Sequence, residues 1–346
     1  MPDIRDNEII EIVKKKISCS SREVFEEISS GISYATVKRI ISRLVADNLL
    51  SATGNKRGTK YSVSPAFGIL QPIEIDKYYE KEIDEREIRK SFNFELITET
   101  LGNISLFTES ELTKLKSLQE TFLSNISQLS EFQFGKEMER LAIDLSWKSS
   151  QIEGNTYTLL ETERLLTEKE TASGRSREEA TMLLNHKEAI DFLIENPDYL
   201  NPLSVSKIED IHRILIKELP IDKGVRRGRV GISGTNYRPL DNDFQIKEAL
   251  FNMCELVNRK EDVFEKALLV LALISYIQPF ADGNKRTARI VSNALLMNHK
   301  YCPISFRTVD SVDYKKAMLI FYEQNNIYAF KQIFIDQFDF AVNTYF

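Results

Sequence analysis

The residues best suited to chemistry lie together between positions 278 and 289 of this 346-residue chain. They are Gln278-Pro-Phe-Ala-Asp-Gly-Asn-Lys-Arg-Thr-Ala-Arg289. A glycine-containing turn that leads into a helix leaves backbone N–H groups unpaired and aimed at one point, which suits phosphate. Arg286 and Arg289 are three residues apart and can reach one anion together, and Asp282 is placed to hold Mg²⁺ bound to phosphate oxygens. This spacing predicts a nucleotide site, and the lack of a GxxxxGK[ST] motif excludes a P-loop NTPase.

This run resembles the active-site signature of the Fic (Fido) family, His-Pro-Phe-x-Asp-Gly-Asn-x-Arg-x-x-Arg, within a region of roughly residues 100 to 340. The resemblance implies ATP and Mg²⁺ as cofactors and a transfer of AMP to a Ser, Thr or Tyr hydroxyl of a protein substrate. It also implies Asp282 as the metal ligand, Phe280 as a hydrophobic anchor, and nucleotide contacts from Gly283, Asn284, Lys285, Arg286 and Arg289.

The departure from the signature is Gln278, which stands where the family has its catalytic histidine. A glutamine amide can hydrogen-bond the target hydroxyl, but it cannot accept its proton at neutral pH. General-base catalysis contributes roughly 10²- to 10⁴-fold, so turnover should fall severely while nucleotide binding persists. No other histidine is expected to compensate: the pattern predicts a packed His212 and solvent-facing His186 and His299.

Residues 223–239 resemble the target-docking flap of the family, a hairpin that pairs with an extended target peptide. The resemblance places the pairing edge at Val230, Gly231 and Ile232. The alternative is an ordinary basic hairpin with no target contact.

Upstream, Ser149-Ser-Gln-Ile-Glu-Gly-Asn155 resembles the inhibitory motif of autoinhibited Fic proteins, with Ser149, Glu153 and Gly154 at its defining positions. By that resemblance Glu153 pairs with Arg289, and its carboxylate repels the triphosphate tail. The alternative is a Glu-Gly pair that only ends a helix.

The first 65 residues predict a winged helix-turn-helix, with three short helices followed by a hairpin whose tip is basic. Ser33 is expected to cap the third helix. In the DNA-binding interpretation the reading residues are Ser33, Tyr34, Thr36 and Lys38, and the phosphate contacts on the wing are Lys56 and Arg57. A module for protein contacts or dimerisation is the alternative, because the surface charge is modest.

Helical periodicity dominates the remainder, so we expect a mainly α fold with a β-hairpin flap on a Fic-type core. The expected parts are a winged helix over 1–65, a linker over 66–100, a helical region with the inhibitory motif over 101–200, and the Fic core over 201–346.

Bulk composition favours a cytoplasmic protein. The net charge of −6 argues against a protein that coats nucleic acid, and three scattered cysteines indicate reduced thiols. The N-terminus lacks a signal-peptide layout, and the longest apolar run, residues 267–277, is too short to cross a membrane. The oligomeric state stays open, with a homodimer among the alternatives.

Three functional hypotheses follow. The first is an attenuated protein adenylyltransferase that is autoinhibited by Glu153. The second is a pseudoenzyme that binds nucleotide and acts as a nucleotide-responsive DNA-binding regulator. The third is removal of AMP from a modified protein, with Glu153 orienting the water.

Overall fold

The structure is a computed structural model that describes residues 4–346, except for the side chains of Ile4 and Arg57. The N-terminal region contains three helices and a two-stranded antiparallel hairpin. Its elements are α1 (Ile4–Lys16), α2 (Ser21–Glu27), α3 (Tyr34–Ala46), β1 (Leu50–Thr53) and β2 (Lys60–Val63), with a 3-10 turn at Lys56–Gly58 between the strands.

Local sequence explains where these helices begin. Ser20 caps α2 through a reciprocal capping box with Glu23, and the Ser33 hydroxyl accepts the Thr36 N–H at the start of α3. The inner face of α3 is buried, with Val37, Ile40, Ile41 and Leu44 all at 6% exposure or less. The winged-helix arrangement expected from the sequence is therefore present.

A connecting segment leads from the hairpin to the helical core. It contains α4 (Phe67–Leu70), α5 (Ile75–Tyr79) and a 3-10 turn at Ile83–Glu85, followed by a π-helical turn at Leu96–Thr100.

Ten helices complete the described chain. They are α6 (Glu109–Ile126), α7 (Glu131–Ile152), α8 (Leu159–Glu168), α9 (Arg177–Glu195), α10 (Val205–Leu215), α11 (Asp243–Arg259), α12 (Val263–Ile277), α13 (Asn284–Asn298), α14 (Ser311–Gln324) and α15 (Tyr328–Tyr345).

Helix α12 lies at the centre of the core, and nearly every residue from Val263 to Ile277 is buried. From Ala267 to Ile274 its side chains are apolar on all faces, as expected for a helix that α11, α13, α14 and α15 surround. The buried carboxylate of Glu265 is paired with Lys260 at 2.9 Å. A change such as Leu271→Ala should therefore cost about 2–5 kcal/mol of stability. This rigid helix fixes the start of the loop that follows it.

The predicted hairpin over residues 223–239 is wrong. Within residues 4–346 the only paired strands are β1 and β2, apart from an isolated bridge between Cys19 and Tyr61. Four glycines, at positions 224, 228, 231 and 234, interrupt the segment and weaken any strand. Val230, Gly231 and Ile232 thus lie in irregular backbone. Among the residues described, no helix is long and apolar enough to cross a membrane.

Candidate functional site

The candidate site is built around the loop that joins α12 to α13. Gly283 has φ of 81° and precedes α13 without a side-chain cap. The left-handed backbone favours glycine here, whereas a Cβ would meet the Arg286 and His212 side chains only at an ordinary contact distance of 3.5 Å. Asn284 braces the turn, because its amide accepts the Phe280 N–H at 2.8 Å and donates to the Phe280 carbonyl at 2.8 Å. The predicted nucleotide contact of the Asn284 side chain stays a prediction, since that amide is occupied within the loop.

Gln278 ends α12 in left-handed backbone, with φ of 51°, and its amide is held at both ends. Nε2 donates to the Ser275 carbonyl at 2.6 Å and lies 3.4 Å from the Tyr322 hydroxyl, and Oε1 accepts from Asn284 Nδ2 at 3.0 Å. The side chain therefore links the end of α12 to the start of α13 by hydrogen bonds, and it has no basic group that could accept a proton from a substrate.

Arg286 and Arg289 lie on the first turns of α13 and are almost completely buried, at 1% and 0% exposure. Arg289 donates from Nε to the Ser149 hydroxyl at 2.8 Å and from Nη2 to the Ser149 carbonyl at 2.9 Å. Within residues 4–346, Arg286 Nε and Nη1 and Arg289 Nη1 have no hydrogen-bond partner. Buried guanidinium N–H groups without hydrogen-bond partners suit the binding of an anion that would accept hydrogen bonds from them.

Glu153 follows the last residue of α7 and contacts two of the site's cations. Its Oε1 lies 3.0 Å from Arg289 Nη2, and its Oε2 lies 3.2 Å from Lys285 Nζ. Burial alone would raise the pKa of Glu153, but Arg289 and Lys285 hold that pKa below its ordinary value. The carboxylate is thus ionised at neutral pH and pairs with Arg289 Nη2 and Lys285 Nζ. Gly154, at φ of 101°, turns the chain away directly after it.

Asp282 is the expected metal ligand and is largely exposed, at 61% for its side chain. Its carboxylate accepts the Gly283 N–H at 2.6 Å and lies 3.3 Å from Arg286 Nη2. No group of three or more His, Cys, Asp or Glu residues that could hold a metal exists in the described part of the chain. One carboxylate beside a phosphate site fits Mg²⁺ only when phosphate oxygens supply further ligands, so the residues present fit a metal that arrives with the nucleotide.

A cavity of about 320 Å³ opens onto the loop, and its lining includes Glu153, Gln278, Asp282 and Lys285. The predicted flap residues Val230, Gly231 and Ile232 also line it. Arg226 holds the base of that segment, because its backbone N–H donates to the Pro279 carbonyl at 3.0 Å and its Nε to the Gln278 carbonyl at 2.6 Å. The structure therefore brings many, but not all, of the predicted site residues to one cavity. Asn284 also lines it, whereas Ser149, Gly154, Gly283, Arg286 and Arg289 do not.

The three histidines have different environments. His212 is buried, stacks on Phe280 with ring centroids 3.7 Å apart, and places Nε2 3.0 Å from the Asp282 carbonyl oxygen. Burial lowers its pKa to about 4, so it is neutral and supports the loop. His299 is exposed as expected.

The prediction of a solvent-facing His186 is wrong, because this residue is fully buried at 0% exposure. It lies three residues after Leu183 and four before Ile190, both buried, so helical spacing could have placed it inside. Burial lowers its pKa well below the ordinary value of 6.5, and the charges of Arg289 and Arg286 act in the same direction.

Two site residues were missed in the sequence. Tyr314 lies beneath Arg289, whose guanidinium carbon is 5.3 Å from the ring centroid, and Tyr322 lines the cavity beside Gln278. Both are buried on α14 and are eight residues apart, with the cavity-lining Met318 midway between them. That spacing puts all three on one helix face, but only the fold shows that the face meets the loop.

The candidate DNA-contacting residues lie at the start of α3 and on the wing. The hydroxyls of Ser33 and Thr36 are 3.0 Å apart and take part in the helix cap. Tyr34 is 39% exposed and packs edge-on against Phe25, and Lys38 is exposed. Lys56 is exposed on the wing, whereas the side chain of Arg57 lies outside the described residues. A role of these residues in DNA binding stays a prediction.

Comparisons with known proteins agree with this architecture. Residues 202–296 match the model of the Fic/DOC family, and residues 4–66 match that of the penicillinase repressor family. Among solved structures, Fic-1 from C. elegans superposes with a TM-score of 0.59 at 18% identity, covering 68% of this chain and 72% of that one. A Fic domain containing signaling protein from Bacteroides thetaiotaomicron has a TM-score of 0.57 at 20% identity, covering 66% and 94%.

Among the curated proteins that are similar in sequence are two described as protein adenylyltransferase Fic. The one from Nematostella vectensis is 29% identical over 219 residues, which span 59% of this chain and 51% of the relative. The one from Aedes aegypti is 31% identical over 169 residues, which span 46% of this chain and 32% of the relative. The match thus covers from 32% to 51% of the length of these relatives.

Proposed function

We propose that this chain, whose fold is that of Fic-domain proteins and whose residues 202–296 match the Fic/DOC family, binds ATP and is an attenuated protein adenylyltransferase. The observation that carries the proposal is the set of buried guanidinium donors at the start of α13, paired in part with Glu153. We further propose the four-part division of the chain at about residues 65, 100 and 200, with AMP accepted by a Ser, Thr or Tyr hydroxyl.

In this proposal the phosphates bind at the N-terminus of α13, where Arg286, Arg289 and the backbone N–H groups that follow Gly283 donate to their oxygens. The Gly283 N–H can join them only if it leaves the Asp282 carboxylate. Lys285 joins them once Glu153 has withdrawn. Mg²⁺ held by Asp282 and the phosphates would neutralise charge on the leaving pyrophosphate. The target hydroxyl oxygen then bonds to the α-phosphorus as the bond to pyrophosphate breaks, and the hydroxyl proton must leave.

Gln278 limits this last step, since its amide cannot take the proton and is already hydrogen-bonded at both ends. The proposed enzyme is therefore restrained twice, by Glu153 at binding and by Gln278 at proton transfer.

The test is incubation of α-labelled ATP and Mg²⁺ with a lysate of the host and four proteins: wild type, Glu153→Gly, Gln278→His and the double variant. We expect label in protein bands to increase in that order, with Gln278→His raising transfer roughly 10²- to 10⁴-fold in the Glu153→Gly background. A double variant that is folded and binds ATP but transfers no AMP would refute the adenylyltransferase proposal.

A second candidate, a nucleotide-responsive DNA-binding regulator, is favoured by the locked amide of Gln278 together with the match of residues 4–66 to the penicillinase repressor family. Electrophoretic mobility shifts of host genomic fragments with and without ATP test it; identical shifts in both conditions exclude nucleotide control. The third candidate, removal of AMP with Glu153 orienting water, rests on the position of Glu153 in the same cavity as Gln278. An AMP-modified protein that stays intact during long incubation would exclude it.

A further inference from the structure

The segment that borders the candidate site is more positive than the protein as a whole. Residues 223–238 contain five basic residues and no acidic one, in a chain whose net charge is −6. The five are Lys223, Arg226, Arg227, Arg229 and Arg238. A local charge excess of this kind favours partners of the opposite sign.

Not all of these charges are free. Arg226 is buried and braces the loop after α12, and Arg229 pairs with Asp241 at 3.0 Å. Arg238 is exposed and forms no ion pair with any residue of the described chain. Lys90, which approaches from the connecting segment, is likewise exposed and without an ion pair there.

These two free cations line one groove. The groove has a volume of about 1130 Å³ and runs between residues 90–92 and residues 229–241. Its single acidic lining residue, among those described, is Asp241, which Arg229 already neutralises. Val230, Gly231 and Ile232 line both this groove and the cavity that holds Gln278. A chain that reaches the cavity across these three residues therefore passes Lys90 and Arg238.

The backbone of Val230–Ile232 indicates what kind of chain this is. Within residues 4–346 its N–H and C=O groups form no hydrogen bond. An extended peptide offers matching donors and acceptors along its own backbone, whereas a nucleic acid backbone has no such alternation. A bound peptide could thus pair with the free backbone of Val230–Ile232 and also contact the positive charges of the groove. A nucleic acid could contact only the charges.

Building on the proposed function, we propose that the hydroxyl-bearing segment of the target protein is acidic. Its backbone pairs with Val230–Ile232, and carboxylates that flank the hydroxyl bind Lys90 and Arg238 in the groove. This assigns the substrate a chemical class and makes Lys90 and Arg238 residues that determine specificity.

The test measures binding of short fluorescein-labelled peptides to the full chain by fluorescence anisotropy, without ATP. The peptides have a central Thr and are identical except that the flanking residues are Glu, Gln or Lys. The proteins are wild type, Lys90→Glu/Arg238→Glu, and the matched control Lys116→Glu/Lys136→Glu. The control removes two exposed cations that also lack ion pairs in the described chain, so both variants change the net charge equally.

We expect the Glu peptide to bind wild type about tenfold more tightly than the Gln peptide, and added salt to erase the difference. Lys90→Glu/Arg238→Glu should abolish that preference, and the control should keep it. The milder Lys90→Gln/Arg238→Gln variant should halve the difference in binding free energy between the Glu and Gln peptides. Equal affinity for Glu and Gln peptides, or equal loss in the control, would overturn the inference. So would a single-stranded oligonucleotide of matched charge that binds the groove more tightly than the Glu peptide. Because the assay contains no nucleotide, its failure leaves the labelled-ATP result for the proposed function untouched.

Discussion

Replacing Glu153 with glutamine should tighten ATP binding and weaken the fold at the same time. In the wild type the carboxylate lies 3.0 Å from Arg289 Nη2 and 3.2 Å from Lys285 Nζ, with the Arg289 side chain fully buried and that of Glu153 18% exposed. Two unit charges about 4 Å apart at an effective dielectric constant of about 20 interact by about 4 kcal/mol. ATP must displace this interaction and approach a like charge.

We expect a net gain in ATP affinity smaller than that interaction energy, because the amide oxygen of the substituted glutamine would still accept hydrogen bonds from the two cations. A gain of about 2–3 kcal/mol corresponds to a Kd roughly 30- to 150-fold lower. Isothermal titration calorimetry with ATP and Mg²⁺ measures it. The matched control is Glu163→Gln, which neutralises an exposed carboxylate on α8 and should leave the Kd unchanged.

Without ATP the same variant should be less stable. Arg289 would lose its carboxylate but keep its bonds to Ser149 and its contact with Tyr314, so we expect a loss of about 2–3 kcal/mol in urea unfolding. Saturating ATP should restore that loss. A folded Glu153→Gln protein whose ATP affinity equals or falls below that of wild type would refute the reasoning, because the carboxylate would then not compete with the nucleotide.

Two further substitutions test the support of the site. His212 has a folded pKa of about 4 against an ordinary 6.5, so the unfolded chain takes up the proton first. Its stability contribution is complete above about pH 6.5 and is lost as the pH falls toward 4. His212→Gln should remove about 3 kcal/mol of this pH dependence in urea titrations. Burial also lowers the pKa of the more exposed His299, so His299→Gln should remove a smaller part in the same direction. The Glu323 carboxylate lies 3.2 Å from buried Arg86, so Glu323→Gln should leave that guanidinium without its counter-ion. We expect the free energy of unfolding to fall by about 3 kcal/mol. The control Glu80→Gln changes an exposed carboxylate and should alter it by less than about 0.5 kcal/mol.

Much of the fold could be predicted because its signals are local. The caps at Ser20 and Ser33 mark helix starts through hydrogen bonds that span three residues. The apolar run before Pro279 and the glycine at 283 likewise mark the end of α12 and the start of α13. The break that creates the candidate loop was therefore readable from side-chain type alone.

The remainder depends on contacts that are distant in sequence. Residues 74–89 carry many charges and lie in the segment that the sequence predicts as a linker, over 66–100. In the fold, Arg86 is buried against Glu323, and the Tyr78 hydroxyl donates to the same carboxylate at 2.5 Å across 245 residues. Such partners cannot be inferred from local periodicity. The burial of His186 is different, because its helical spacing to Leu183 and Ile190 already places it on the buried side of α9.

Glu153 and Gln278 restrain the proposed enzyme in different ways, and this difference allows an experiment to distinguish a transferase from a nucleotide sensor. Glu153 is held by ion pairs, so it can be displaced by movement or by a competing anion. Gln278 lacks a proton acceptor, and no movement supplies one. A nucleotide sensor needs only the ion pairs of Glu153 to be reversible. In a sensor, Glu153→Gln should therefore raise ATP affinity while AMP transfer stays near background. An enzyme that tolerates Gln278 should instead gain binding and transfer together. Comparing the two gains in one preparation therefore distinguishes sensor from transferase without knowledge of the target.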